Sequence, residues 1–117
     1  MTQKNLLYDV VQHEQNSFIL QMKENHLVYK GHFPGNPITP GVMTLQMVKE
    51  CVNEIVSREL QYCTIKKCRF FALVKPGDKL KLDISTAEHD CIISVNALLT
   101  NSEDQTDVRL ELESEMK

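Results

Sequence analysis

The sequence predicts an α+β fold, an antiparallel sheet wrapped around one long helix, and three observations carry that prediction. From Gly41 to about Leu60 apolar residues recur at a spacing of three and four, at Val42, Leu45, Val48, Val52, Ile55 and Val56, which marks one face of a helix. Behind this segment the pattern turns to alternation, and ahead of it stand short apolar runs separated by polar residues. One helix among about six strands has to bury its apolar stripe against the sheet those strands form.

Taken in order, Leu6 to Val11 and Phe18 to Met22 read as two strands, with the polar Gln12-His13-Glu14-Gln15-Asn16 as the turn between them. Leu27-Val28-Tyr29 is a third short run, ending at Gly31. Pro40-Gly41-Val42 starts the helix, because proline has no N–H to leave unpaired in a first turn. Tyr62 to Val74 is strand-like, and Lys75-Pro76-Gly77-Asp78 forms a turn before Leu80, Leu82 and Ile84 alternate. Cys91, Ile93, Val95, Ala97 and Leu99 alternate again, and Val108, Leu110 and Leu112 do the same with polar partners between them. No internal repeat or low-complexity segment interrupts residues 1–117, which read as a single domain.

With 117 residues, 42% of them hydrophobic, the chain has enough apolar material for one real core. A net charge of -3 does not point to nucleic acid or to a membrane surface. The charges are nevertheless segregated. Lys66, Lys67, Arg69, Lys75, Lys79 and Lys81 stand against the single acid Asp78, whereas Glu103 to Glu115 holds six acids against Arg109. Two readings stay open: solvated strand faces, or a basic landing surface for an acidic partner.

Cys51, Cys63, Cys68 and Cys91 form no C-x-x-C pair and have no histidine at zinc spacing, so they read as buried thiols and no metal site is expected. No charged segment followed by an apolar one opens the chain, and no apolar run approaches the ~20 residues that span a bilayer. The expectation is a cytoplasmic protein with reduced thiols and no membrane partner.

The most informative segment is Gly31-His32-Phe33-Pro34-Gly35-Asn36-Pro37-Ile38-Thr39-Pro40-Gly41-Val42. It sets His32 in a proline-stiffened loop that runs into a helix start, where free N–H groups carry the positive end of the helix dipole. A titratable base therefore sits beside a ready site for an oxyanion.

This segment closely resembles the active-site signature of the hotdog-fold 3-hydroxyacyl-[acyl carrier protein] dehydratases of fatty acid synthesis and of related pathways such as aryl polyene or polyketide assembly. Ile65-Lys66-Lys67-Cys68-Arg69-Phe70 through Val74-Lys75-Pro76-Gly77-Asp78-Lys79-Leu80 resembles the family's second recurring segment. The resemblance implies a hotdog fold and a reaction in which the α proton and the β-hydroxyl leave as water, giving a trans-2-enoyl thioester. No cofactor is implied. His32 matches the catalytic base, while Gly41 and Val42 match the positions whose backbone N–H groups face the thioester carbonyl. Phe33, Pro34 and Pro37 read as stiffening and wall residues, with Phe33 a further candidate for the acyl tunnel.

The departure is at position 46. The resembling enzymes carry Glu or Asp there, fourteen residues after the histidine, as the acid for the departing hydroxyl; this chain has Gln46. An amide binds a hydroxyl but gives up no proton at any useful pH. Glu50 lies one helical turn on, so acid and glutamine look exchanged relative to many of those enzymes. Glu50 supplies the acid through a bound water, or the protein binds acyl groups without dehydrating them, or Glu50 is a solvated surface acid beside Lys49.

The other titratable groups read as solvated: His13 in a turn, His26 beside a short strand and His89 between Glu88 and Asp90. Met22, Met43 and Met47 suit either an acyl channel or the core. The resemblance further implies a dimer or multiple of dimers with sites shared between subunits, and an acyl group delivered on acyl carrier protein or coenzyme A. Two function classes follow: a lyase of acyl-chain synthesis, and a non-catalytic hotdog subunit that holds carrier protein or completes an active partner. A hotdog thioesterase is a more distant third.

Overall fold

The computed structural model describes residues 3–26, 38–57 and 61–115, with backbone alone at 61–63. His32, Phe33 and the run Leu27-Val28-Tyr29 lie outside the described residues. Helix α1 spans Gly41–Val56, and the strands are β1 (Tyr8–Glu14), β2 (Ser17–Met22), β3 (Gln61–Phe70), β4 (Lys79–His89), β5 (Ile92–Thr100) and β6 (Thr106–Glu115).

The six strands form one sheet in the order β1-β2-β4-β5-β6-β3, every pairing antiparallel. Alternation does the sorting. Phe18, Leu20 and Met22 on β2, Leu80, Leu82 and Ile84 on β4, Ile93, Val95, Ala97 and Leu99 on β5, and Val108, Leu110 and Leu112 on β6 are all buried. Because successive side chains point to opposite faces, this stacks one apolar face across four neighbouring strands. Met47, Val48, Cys51 and Val52 of α1 join the same cluster. Each such side chain taken out of water contributes about 1.5–3 kcal/mol.

The helix differs from its sequence pattern in phase and length. Its buried face is Thr44, Met47, Val48, Cys51 and Val52, while Val42 is 75% exposed and Leu45 is only partly buried. Methionine, cysteine and threonine fill the positions nearest the sheet, which rotates the stripe away from one counted on branched aliphatics alone. The helix stops at Val56 because Ser57 takes a left-handed conformation (φ 56°) that ends the helical bonding.

Three smaller corrections have local causes. Strand β1 runs on to Glu14, so the turn shrinks to Gln15-Asn16, and His13 is a strand residue whose ring stacks on Phe18 at 3.9 Å. Strand β3 ends at Phe70 rather than Val74, because the N–H groups of Phe71 and Ala72 both turn to the carbonyl of Asp107. Among the cysteines Cys51 is buried, but Cys91 is exposed in the β4–β5 turn at φ 63°. Met22 and Met47 belong to the core.

Among the described residues no helix is long and apolar enough to cross a membrane, and no group of His, Cys, Asp and Glu stands ready to hold a metal ion.

Candidate active site

The start of α1 is held from below. Thr39 donates its N–H to the carbonyl of Val74 at 2.7 Å, tying the residues before the helix to the connection after β3. Pro40 caps with φ -57° and ψ 144°, and its carbonyl accepts from the N–H groups of Met43 at 3.0 Å and Thr44 at 3.2 Å. The N–H groups of Gly41 and Val42 have no acceptor among the described residues. No acid occupies the first turn, and among the described residues no side chain caps this end or compensates the positive end of the dipole. It is a place where a negative oxygen is stabilised.

Gly41 leaves room for a close approach here. A Cβ on it would stand 3.2 Å from Cζ of Phe70, so the ring at the end of β3 lies against the helix start. Phe70 is itself 42% exposed and forms a wall beside the two open N–H groups. The sequence marked Phe70 only as part of a family-like segment; the signal that singles it out is the glycine across from it.

Val42, Gln46 and Glu50 follow one another at intervals of four and so share one side of α1. Gln46 donates Nε2–H to Oε2 of Glu50 at 3.0 Å. Three more donors reach the same carboxylate: Gln3 N at 2.8 Å on Oε2, and Lys4 N at 3.0 Å and the Tyr8 hydroxyl at 2.8 Å on Oε1. Four donors fill the roughly four acceptor positions that an ionised carboxylate offers. Burial raises the Tyr8 phenol far above its ordinary range, with Cys51 and Glu50 adding to the shift, so Tyr8 stays a donor. Farther along the helix Glu54 pairs with Lys4 at 3.0 Å. Sequence periodicity contained no signal for this cluster, because its members come from segments more than forty residues apart.

The structure therefore brings Val42, Gln46 and Glu50 onto one helix side, with Gly41 at the helix start, while His32 and Phe33 lie outside the described residues. It also disperses the basic run. Lys66, Lys67 and Arg69 sit on β3 at one edge of the sheet, and Lys79 and Lys81 on β4, with β5 and β6 between. Lys66 pairs with Glu113 of β6 at 3.3 Å, and Lys67 stands in register with Glu111, so neighbouring acids offset the β3 cations. A separate cleft of about 500 Å³ opens between Ile38, Leu73, Lys75 and Asp107. There Asp107 is 2% exposed and accepts from Asn101 at 2.9 Å; burial raises its carboxyl above the ordinary range, the Asn101 bond working against that shift.

A continuous antiparallel sheet carrying one long helix on its apolar face, with a bare helix start, defines the hotdog class. Solved structures agree on the fold. The chain overlays on the dehydratase heterocomplex ApeI:P from Xenorhabdus doucetiae with a TM-score of 0.66, at 23% identity, over 89% of this chain and 91% of that one. For the E. coli PaaI protein the TM-score is 0.67 at 11% identity, over 98% and 83%.

Sequence comparison narrows the class to a family. A family model described as ApeI-like, ApeI dehydratase, matches residues 9–114, and the chain belongs to this dehydratase family. The 3-hydroxyacyl-[acyl-carrier-protein] dehydratase FabZ of Sulfurimonas denitrificans is 32% identical over 100 residues, 72% of this chain and 67% of that protein. The FabZ of Caldanaerobacter subterraneus is 35% identical over 74 residues, 57% and 52%. The chain thus spans between about half and two thirds of the length of these curated relatives.

Proposed function

We propose that this chain is a 3-hydroxyacyl-[acyl carrier protein] dehydratase of acyl-chain biosynthesis, acting on a thioester presented by a phosphopantetheine arm. The observation that carries the reading is the bare start of α1, where the N–H groups of Gly41 and Val42 stand open beside Phe70. As the α proton leaves, negative charge grows on the thioester oxygen, and two preorganised donors on a helix dipole stabilise that charge more than the neutral carbonyl. His32 is the base in this reading, its ordinary pKa of about 6.5 being suited to the work. Gln46 and Glu50 form the polar pair that meets the β-hydroxyl. Phe33 and Phe70 wall the acyl group.

A partner subunit belongs to the same proposal. Strand β3 is an edge strand, and Ile65 on it is 50% exposed, a pairing surface for a second copy or for another hotdog subunit. A fold neighbour that is a dehydratase heterocomplex, ApeI:P, lends support to the second option. A cytoplasmic setting, where carrier-bound acyl chains are elongated, goes with this reading.

One observation favours a second reading, a non-catalytic subunit that binds acyl carrier protein or completes an active partner. Glu50 is occupied on all sides and Gln46 is an amide, so neither offers a ready proton to the departing hydroxyl. The test is loss of water from a 3-hydroxyacyl-carrier-protein, followed by mass spectrometry, for wild type and His32→Ala side by side. Turnover that vanishes in His32→Ala supports the dehydratase. A folded wild type that binds carrier protein yet leaves the substrate intact supports the accessory subunit.

A further inference from the structure

Glu50 does something more specific than carry charge: it determines which end of the Gln46 amide is free. A carboxylate only accepts, so the amide edge facing Glu50 Oε2 at 3.0 Å has to be the nitrogen. The carbonyl oxygen of Gln46 is then turned away from Glu50, and no donor among the described residues reaches it. The orientation is held firmly, because Glu50 is pinned in turn by the Tyr8 hydroxyl and by Gln3 N and Lys4 N, two backbone groups that can only donate.

We infer that Glu50 is a positioning residue that locks Gln46 with its carbonyl oxygen toward the acyl group, so that the site selects a β-hydroxyl, which donates, over a β-ketone, which only accepts. The inference rests on the proposed acyl-thioester reading, in that Gln46 faces the bound acyl group. The chemical argument is one of sign. An acceptor held in place gains a hydrogen bond from a 3-hydroxyacyl chain, whereas a 3-oxoacyl chain sets two lone pairs against each other and leaves the amide oxygen unpaired. The helix position that bears an acid in related enzymes here reads the oxidation state of the β-carbon.

Replacing Glu50 by glutamine removes the lock. Oε2 of Glu50 accepts from Gln3 N and the Gln46 amine, and Oε1 accepts from Lys4 N and the Tyr8 hydroxyl, whereas a glutamine has one oxygen for these two corners. With its oxygen at the Lys4 corner its amine faces Gln46, which then presents its own oxygen inward and its amine outward; with the oxygen at the Gln3 corner Gln46 stays as it was. The free end of Gln46 is then no longer fixed as an acceptor, and its donor end satisfies a ketone as well as a hydroxyl.

The experiment compares two non-reacting probes on the full chain by calorimetry: 3-hydroxydecanoyl and 3-oxodecanoyl pantetheine analogues whose thioester sulfur is replaced by NH. Wild type is expected to bind the hydroxyl probe about tenfold more tightly, the worth of one hydrogen bond gained or lost. Glu50→Gln is expected to bring the two affinities within about twofold. Glu54→Gln, which breaks the Lys4 contact without touching Gln46, should keep the full preference. If Glu50→Gln does not fold, Tyr8→Phe removes one anchor only and should lower the preference about threefold. A folded Glu50→Gln protein that keeps the tenfold preference overturns the inference, as does a Tyr8→Phe protein with an unchanged preference or a wild type that shows none. Because binding is read without turnover, a wild type that selects the hydroxyl probe but eliminates no water would count against dehydration and leave the locked amide standing.

Discussion

Phe70 lies against Gly41 so closely that a single added carbon on the glycine would come to 3.2 Å of the ring. The neighbour is the tip of a half-exposed side chain and can give by a few tenths of an ångström. Gly41→Ala is therefore expected to change stability by less than about 1 kcal/mol, the better helix propensity of alanine offsetting the push. Activity should respond differently, since the methyl group narrows the approach to the open N–H groups of Gly41 and Val42. A fall of about tenfold or more in kcat/KM with an unchanged Tm is expected, which is the scale of losing good contact with one oxyanion donor. Parallel thermal melts and steady-state kinetics check this, and a lowered Tm with normal turnover would assign Gly41 to packing alone.

Tyr8→Phe removes the hydroxyl that donates to Glu50 at 2.8 Å and leaves everything else in the cluster. A hydrogen bond from a buried phenol to a carboxylate is worth about 2 kcal/mol, so a loss of roughly 6–10 °C in Tm is expected. Glu50→Ala should cost more, about 3 kcal/mol, since it strips the acceptor from the N–H groups of Gln3 and Lys4 as well. Urea melts order the two variants, and equal stability would mean that water replaces the carboxylate at no cost.

Asp107 gives a pH dependence of defined sign. Burial raises its pKa in the folded state above its unfolded value, so the folded protein holds the proton more tightly. Between the two pKa values the native state binds more protons than the unfolded state, and stability falls as pH rises through that window. The cost is present in full at neutral pH and absent once the pH is below the ordinary carboxylate range. Asp107→Asn, which keeps an oxygen for Asn101, should accordingly be more stable than wild type at pH 7, with the difference closing toward acid. Chemical denaturation at several pH values tests it, and a constant difference would exclude titration as its cause.

The thiols should separate by reactivity. Burial pushes Cys51 up to about 12, with Glu54 adding to the shift, and Cys51 is 1% exposed, so it is neither ionised nor reachable at pH 8. Cys91 is exposed. Brief alkylation with iodoacetamide and peptide mapping should find Cys91 modified and Cys51 untouched until denaturant is added. Early labelling of Cys51 would mean that α1 leaves the sheet on the timescale of the reaction.

How far these features could be read from the sequence depended on the range of the forces behind them. Alternation at Leu80, Leu82 and Ile84 and helical spacing at Val48 and Val52 are local, and both predicted elements are present. The end of α1 at Ser57 and the phase of its buried face were not legible, since Met47 and Cys51 become core only once the sheet is beneath them. Gly41, Val42 and Gln46 are legible through the resemblance of their segment to a known signature, and Glu50 through its spacing of four from Gln46. Tyr8, Gln3 and Lys4 were not, because what makes them important is a carboxylate more than forty residues away. The run from Lys66 to Lys81 shows the reverse case, in which neighbours in the chain are separated by the order of the strands.

That strand order also has a timetable. Strands β1 and β2 are joined by a tight turn and can pair as soon as they are made, whereas among the described residues β3 has its only strand partner in β6, with Gln61 set opposite Glu115. As the chain leaves the ribosome, β3 therefore emerges before its template exists and waits through the synthesis of two further strands. Closure at such separation is slow, and an unpaired strand is exposed to wrong partners while it waits. Lys66, Lys67 and Arg69 put three cations on the segment kept waiting, a means of keeping it apart from its own kind until the acids of β6 arrive.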